Sequence, residues 1–545
     1  MVFFVLGASL VLIAAAIIRG LLLNKQHKKV AEEKDIKLKY LFFRGQRYIY
    51  PILVAVVFFL VIFFMISRTT AIFFAAGAVV SLICCMFGRM IISMIRNNTE
   101  LPEKHSEIPF KYGVSAGMFF IGTGILLLTI CFLIFSLSQI INSIVGFALG
   151  VSVIILFTIA DNQDFSTAAD IFDSCIAALV SAIMLSSVAV DEAGVNATFT
   201  SRKAAFYPLV IVTVGALASL IVSFIIRQRG RSDVRVRVTR GVYFVFAVVV
   251  VSAVLAGSLY LDNLSYAWGI TSGVAICLLT GITIGHLIIK KRTERPELKE
   301  IYLQKEVVYR MGTGMIATLL PIVFIIIALF IAYRFAGFFG IANAAVGALS
   351  ALILFIGSDF HEKYIHNPVT GDVRHDQVDL SERSRFNLLS STSVSSGSVC
   401  AAVITSISLY LAYCCSAELK SVDLMVPNVF IGLLTGATYP FIFTALMFIQ
   451  GHRENGKNRV NDPKQILIPG ITAILLPAAV GLLLGAEALG AAIFCASCAG
   501  LVLVVMMAIN RDVLYSVPIS SINLMIKLTV LVSIVLAPLF GEGIL

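Results

Sequence analysis

Apolar stretches of about 20 residues, separated by short polar connections, recur from one end of this chain to the other. A helix of that length crosses the hydrocarbon core of a bilayer, and inside lipid only helices and closed barrels satisfy their own backbone hydrogen bonds. Uninterrupted apolar runs are the helical pattern, because barrel strands alternate apolar with polar residues. Only 13% of the 545 residues are charged and 59% are hydrophobic, whereas soluble domains carry about 25% charged residues. A soluble enzyme is excluded, and the chain reads as all-α: one polytopic membrane-embedded domain covering 1–545.

The runs predict about sixteen helices: 2–23, 50–66, 71–89, 114–137, 141–160, 171–190, 204–226, 242–261, 268–289, 311–333, 341–357, 388–413, 429–450, 466–485, 488–508 and 514–539. Alternate connections hold nearly all the Lys and Arg, in the loops 24–49, 89–113, 227–241, 290–310, 359–387 and 451–465. The opposite side carries Arg68, Arg202, Lys203, Arg334 and Lys420. The basic side is expected to be cytoplasmic, which puts both termini outside. The first run has no basic segment before it and one after it, so it reads as a retained anchor rather than a cleaved signal. Topology also accounts for the net charge of +10, since no basic block interleaves aromatics as a nucleic-acid surface would.

Short outside connections, such as the one at Glu487, imply tight helical hairpins with small residues at the crossings, as at Gly77, Gly146/Gly150, Gly312/Gly314 and Gly481/Gly485. The cysteines fall mainly inside apolar runs (Cys84-Cys85, Cys175, Cys414-Cys415, Cys495, Cys498) and read as small buried hydrophobes, with no disulfide framework. Two Asn-x-Ser/Thr triplets, at Asn196 and Asn263, fall on expected outside loops and match by composition alone.

Ionisable residues at membrane depth are the informative ones, because each costs several kcal/mol unless paired or hydrated, roughly 2.5–3.5 on insertion scales. Asp161, Asp164, Asp170 and Asp173 cluster at and just inside the expected cytoplasmic end of the sixth helix, with Asp170 and Asp173 on one face. Asp170 and Asp173 at that spacing can share a proton or bind a cation, whereas a hydrated helix start that suits the macrodipole fits Asp161, Asp164 and Asp170 better than Asp173. The second position is Lys527, deep in the last run, which needs an acidic partner such as Asp170 or Asp173. A structural ion pair and an ion-pathway gate both fit.

The last run, Ser521-Ile522-Asn523-Leu524-Met525-Ile526-Lys527-Leu528 continuing to Ala537-Pro538-Leu539-Phe540, resembles the SLNILIKL…APLF helix of the membrane-bound ion-translocating pyrophosphatases. Ala169-Asp170-Ile171-Phe172-Asp173-Ser174 is similar to that family's ADLFES, and Arg295-Pro296 with Lys299-Glu300-Ile301 to its RPVREI loop. Residues 429–443 (VFIGLLTGATYPFIF) and 479–490 (AVGLLLGAEALG) resemble VLIGLFIGAMLPFLF and VVGLLLGPEALG. The resemblance implies sixteen helices in two concentric rings, a homodimer and outside termini. It also places Asp170, Asp173, Asn523 and Lys527 on the ion pathway, although Asp170 aligns equally with the aspartate of the family's TKAAD.

The family's catalysis rests on cytoplasmic carboxylates and lysines that hold Mg²⁺ around pyrophosphate, a charge density that metal-assisted phosphoryl transfer requires. Here the first acidic motif is reduced to Thr158-Ile159-Ala160-Asp161-Asn162-Gln163-Asp164 and the six residues after it, and nothing basic stands at the TKAAD lysine. The second motif falls on residues 358–367, where its aspartate becomes His366, and the TGKGF lysine falls in 393–397, which has no base. In the third, Asp512 remains, but Tyr515 and Ser516 stand for a lysine and an aspartate. No competent pyrophosphate site is expected: Asp161, Asp164 and Asp512 are vestiges, no cofactor is called for, and Mg²⁺ is implied only if pyrophosphate binding survives.

Three functions follow as expectations. The first is an inactive structural or assembly subunit presenting its basic loops to a protein partner or to anionic lipid. The others are a passive or partner-driven H⁺/Na⁺ conduit and an active pyrophosphate-energised pump. His361, His366 and His375 share an expected polar loop with Asp359, Asp372 and Asp376 and are weak metal candidates. Cys495-Ala496-Ser497-Cys498 lies inside an apolar run and reads as helix packing.

Overall fold

The computed structural model describes residues 1–28, 46–65, 67–96, 108–135, 137–154, 197–225, 234–261 and 346–366 continuously, with shorter stretches or single residues at 157–183, 264–278, 327–344 and 472–492. Among the described residues there is no strand. The elements are α1 (Val2–Lys28), α2 (Gln46–Met65), α3 (Arg68–Arg96), α4 (Ile108–Ile134), α5 (Leu137–Val151), α6 (Ala197–Ile225), α7 (Val234–Tyr260) and α8 (Leu352–His366). Five spans, in α1, α3, α4, α6 and α7, are long and apolar enough to cross a membrane, and Pro51–Phe64 and Ile171–Val180 are shorter apolar helices.

Several helices outrun the apolar residues that announce them. α3 continues to Arg96, α4 begins at Ile108, α7 begins at Val234, and α8 runs to His366, so 89–96, 108–113, 234–241 and 359–366 are helical where loop was expected. Apolar content marks where lipid ends, but a helix ends only where its hydrogen bonds are interrupted. His361 and His366 therefore stand on a helix and not on a loop, five positions and so about 140° apart.

The chain divides into two compact units, residues 1–274 with 332–372 and residues 275–331 with 373–545, and all eight elements belong to the first. The first unit is organised around α4, which packs against α1, α3, α5, α6 and α8. In α4 and α6, 61% and 72% of the most apolar window is buried, against 28% and 33% in α1 and α7, so α4 and α6 are inner helices and the others present a lipid face. Phe64 on α2 and Leu259 on α7 are among the exposed apolar side chains, as expected where the solvent is hydrocarbon.

Paired contacts fix the direction of each helix relative to α4. α1 is antiparallel to it, since the Ser115 hydroxyl donates to the Ala16 carbonyl at 2.6 Å while Gly122 lies against Leu12 and Ser9. α3 is antiparallel, with Phe87 on Phe119 (4.1 Å) and Phe73 on Phe135 (5.3 Å). α8 is antiparallel, with Phe360 at Gly113 and Ile353 at Gly117. The Arg202 guanidinium at the start of α6 donates to the Phe132 carbonyl near the end of α4, and α7 reverses on α6 through Tyr207 to Ala253 (3.1 Å) and Lys203 over the Tyr260 ring (5.6 Å). α5 runs parallel to α3, and Ile171–Val180 runs parallel to α4. From α3 to α7, successive described runs thus reverse direction, as the alternating loop charge anticipates.

The expected glycine crossing is present. A Cβ on Gly77 would lie 2.8 Å from Val151 N and 2.9 Å from Gly150 Cα, and a Cβ on Gly150 would lie 2.8 Å from Ala78 N. Gly146 meets the Thr70 backbone in the same way, so α3 and α5 touch backbone to backbone. Cys84, Cys85 and Cys175 are buried, as expected. Gly312, Gly314, Gly481, Gly485, Cys414, Cys415, Cys495, Cys498, Asn196 and Asn263 lie outside the described residues.

Candidate functional site around Asp173

Asp173 is carried by the helix Ile171–Val180 beside α4. The ring of Phe172 lies 5.6 Å from that of Phe120, and Gly124 leaves the space that Ile176 occupies, since a Cβ there would fall 2.5 Å from Ile176 Cδ1. These contacts set Asp173 level with the middle of α4 (Ile108–Ile134), deeper than the helix end where the sequence places it. Its exposure is 1%. A carboxylate at that depth needs hydrogen bonds, because low-dielectric surroundings penalise its charge.

One bond comes from α5. The Ser152 hydroxyl donates to Asp173 Oδ1 at 2.9 Å and lies 3.2 Å from the Ala148 carbonyl oxygen. Ser152 stands where the regular helix stops: its amide still bonds Ala148 at 3.1 Å, but the Val153 amide turns back to Gly150 at 3.2 Å, a tighter three-residue step. The run expected as one helix over 141–160 is therefore broken at Ser152-Val153. Ser81 of α3 meets the carbonyls at this break, with its hydroxyl 2.7 Å from Val151 O and 3.2 Å from Gly150 O. In hydrocarbon, an irregular backbone step persists only with such partners.

The helical stretch before α8 also breaks at a serine, although there the serine's own amide takes the three-residue step: the Ser350 amide bonds Gly347 at 3.3 Å and the Leu354 amide bonds Ala351 at 3.0 Å. Ser152, Phe157 and Asp161 recur at the same spacing as Ser350, Phe355 and Asp359. That internal correspondence was a signal in the sequence, and reading only charges passed over it. Arg19 was also missed: it lies inside the first apolar run, its guanidinium donating to Ser223 Oγ at 2.7 Å and standing 5.3 Å above the Phe224 ring.

Of the remaining candidates, Asp161, Asp164, Asp170, His375, Asp512, Asn523 and Lys527 lie outside the described residues. Among the described residues no group of three or more His, Cys, Asp or Glu side chains is placed to hold a metal ion.

Buried glycine crossings, alternating apolar helices and an acid at membrane depth define a multi-pass integral membrane protein. The pattern of the family described as "Inorganic H+ pyrophosphatase" matches residues 10–160 and 164–462, and the chain belongs to that family. Relatives are distant. The chain is 25% identical over 374 residues to a Clostridium tetani protein named "Putative K(+)-stimulated pyrophosphate-energized sodium pump", covering 59% of this chain and 53% of that protein. It is 24% identical over 413 residues to a K⁺-insensitive pyrophosphate-energized proton pump of Caldanaerobacter subterraneus, covering 62% and 56%. The chain spans about half the length of the curated relatives it matches.

Proposed function

We infer that this protein is a catalytically inactive member of its family, a structural or assembly subunit of a membrane complex. The observation that carries this reading is the loss of charge at all three stretches where the family's catalytic motifs fall. No base stands at either lysine position around Ser166-Thr167-Ala168-Ala169-Asp170 and 393–397, and Tyr515 and Ser516 replace the lysine and aspartate after Asp512. Phosphoryl transfer from pyrophosphate needs several cations gathered around its charged oxygens, which this set does not supply. The protein is read as a sixteen-helix homodimer of the cell membrane with both termini outside. Its basic loops, especially 227–241, face a protein partner or anionic lipid.

The test is Mg²⁺-dependent pyrophosphate hydrolysis by purified, folded protein, beside a variant carrying Asp170→Ala and Asp173→Ala. No turnover in either is the expected result. Turnover that the double substitution abolishes would overturn the reading and make the chain a minimal pyrophosphate-energised pump.

The depth of Asp173 favours a second reading, a passive or partner-driven H⁺ or Na⁺ conduit, because carboxylates kept at mid-membrane despite their cost mark ion pathways. Vesicle flux that Asp173→Asn lowers supports this reading, and flux it leaves unchanged removes it.

A further inference from the structure

Serine and threonine hydroxyls inside regular membrane helices normally turn back onto the carbonyl one turn earlier, and four in this chain follow that habit, whereas Ser115 and Ser81 reach carbonyls of a neighbouring helix. Thr123 bonds Phe119 at 2.7 Å, Thr129 bonds Ile125 at 2.7 Å, Thr213 bonds Leu209 at 2.6 Å and Ser219 bonds Gly215 at 2.8 Å. Ser152 departs from it. Its hydroxyl is 3.2 Å from the corresponding carbonyl of Ala148 but 2.9 Å from Asp173 Oδ1, and a hydroxyl has one proton to give.

The chain contains its own control. At the break before α8, the Ser350 hydroxyl bonds the Gly347 carbonyl at 2.7 Å. Two helices thus carry an interruption with a serine at it, and the serine beside a buried carboxylate is the one directed outward. The interruption at Ser152 is also held from a third element, since Ser81 of α3 meets the Val151 and Gly150 carbonyls. A hydroxyl on a backbone fixed in this way has a defined direction, the condition for orienting another group.

We propose that Ser152 is a positioning residue for Asp173: the break in α5, buttressed by Ser81, turns the Ser152 hydroxyl onto Oδ1 and fixes the orientation of the buried carboxylate. The consequence for ion passage rests on the conduit reading, whereas the orientation itself does not.

The test uses the full chain in lipid vesicles, with aspartate carboxyl groups carrying ¹³C so that the Asp173 infrared band is identified by its loss in Asp173→Asn. In Ser152→Ala the band is expected to shift, and in Ser152→Thr, which keeps the hydroxyl, it is expected to return towards the native position. Ser350→Ala should leave it in place. Where Asp173→Asn lowers flux, Ser152→Ala should lower it severalfold and Ser152→Thr should restore it. A band unmoved in Ser152→Ala overturns the proposal whatever the flux, and so does flux sensitive to Asp173 but indifferent to Ser152. Flux indifferent to Asp173→Asn removes the conduit reading alone, and the band then decides this one.

Discussion

The Ser81 hydroxyl of α3 lies 2.7 Å from the carbonyl oxygen of Val151, the residue at which regular α5 ends. The bond joins two helices at the point where α5 leaves regular geometry. Ser81→Ala would remove that link from an apolar crossing. The expected cost is about 1 kcal/mol, the scale of hydrogen bonds between membrane helices. It should appear as a lower midpoint for thermal unfolding in detergent, with Ser81→Thr close to native. An unchanged midpoint in Ser81→Ala would mean that α5 holds its own break.

The same crossing tolerates no side chain at Gly150. An alanine Cβ there would sit 2.8 Å from Ala78 N and 2.9 Å from Gly77 Cα, and both are backbone atoms that yield only if the helices separate. Gly150→Ala is expected to cost about 1–3 kcal/mol, the range for overpacking. Gly7→Ala makes the comparison, because nothing lies within 4 Å of a Cβ at Gly7. That variant should be no less stable than native, helped by alanine's helix propensity. Equal losses in the two variants would show that propensity or lipid contact, and not the crossing, sets the effect.

Periodicity and loop charge in the sequence anticipated the all-helical class, the reversal of successive runs and the glycine contact at Gly77, Gly146 and Gly150. These are legible because lipid imposes one rule on every residue of a span. Helix ends were less legible, as α3 and α8 show, since the arginine-flanked stretch Arg89 to Arg96 and the polar stretch Asp359 to His366 contain no breaker. Asp173 was recognised by its charge. Its partner Ser152 was not, because a serine in an apolar run usually bonds its own helix, and only the break at Val153 redirects it. Arg19 was overlooked for a related reason: one cation near the end of a run reads as reaching for the interface, whereas here it bonds Ser223.

That bond ties the outer helix α1 to the inner helix α6. Arg19 donates to the Ser223 hydroxyl at 2.7 Å and lies over Phe224, while Ser223 itself bonds the Leu220 carbonyl at 2.6 Å. Ser223 therefore keeps a partner when Arg19 is removed, which limits the damage. A double-mutant cycle on Arg19→Ala and Ser223→Ala should give a coupling of about 1 kcal/mol. Arg19→Lys should recover only part of it, since an ammonium lacks the flat face that stacks on the ring. Additive single effects would show that the two residues act independently.

Toward the other end of α6, the Arg202 guanidinium donates to the Phe132 carbonyl near the end of α4, where a cation is favoured. Arg202 is more than a turn inside α6 (Ala197–Ile225), so the dipole of its own helix contributes little and the charge-assisted bond dominates. Arg202→Gln is therefore expected to lower stability by about 1 kcal/mol. Arg202→Glu should lower it further, because it sets a carboxylate against the carbonyls of α4. Thermal midpoints of the two variants in one detergent decide the matter. Glutamate more stable than glutamine would mean that the end of α4 does not govern this position and that the bond to Phe132 contributes little.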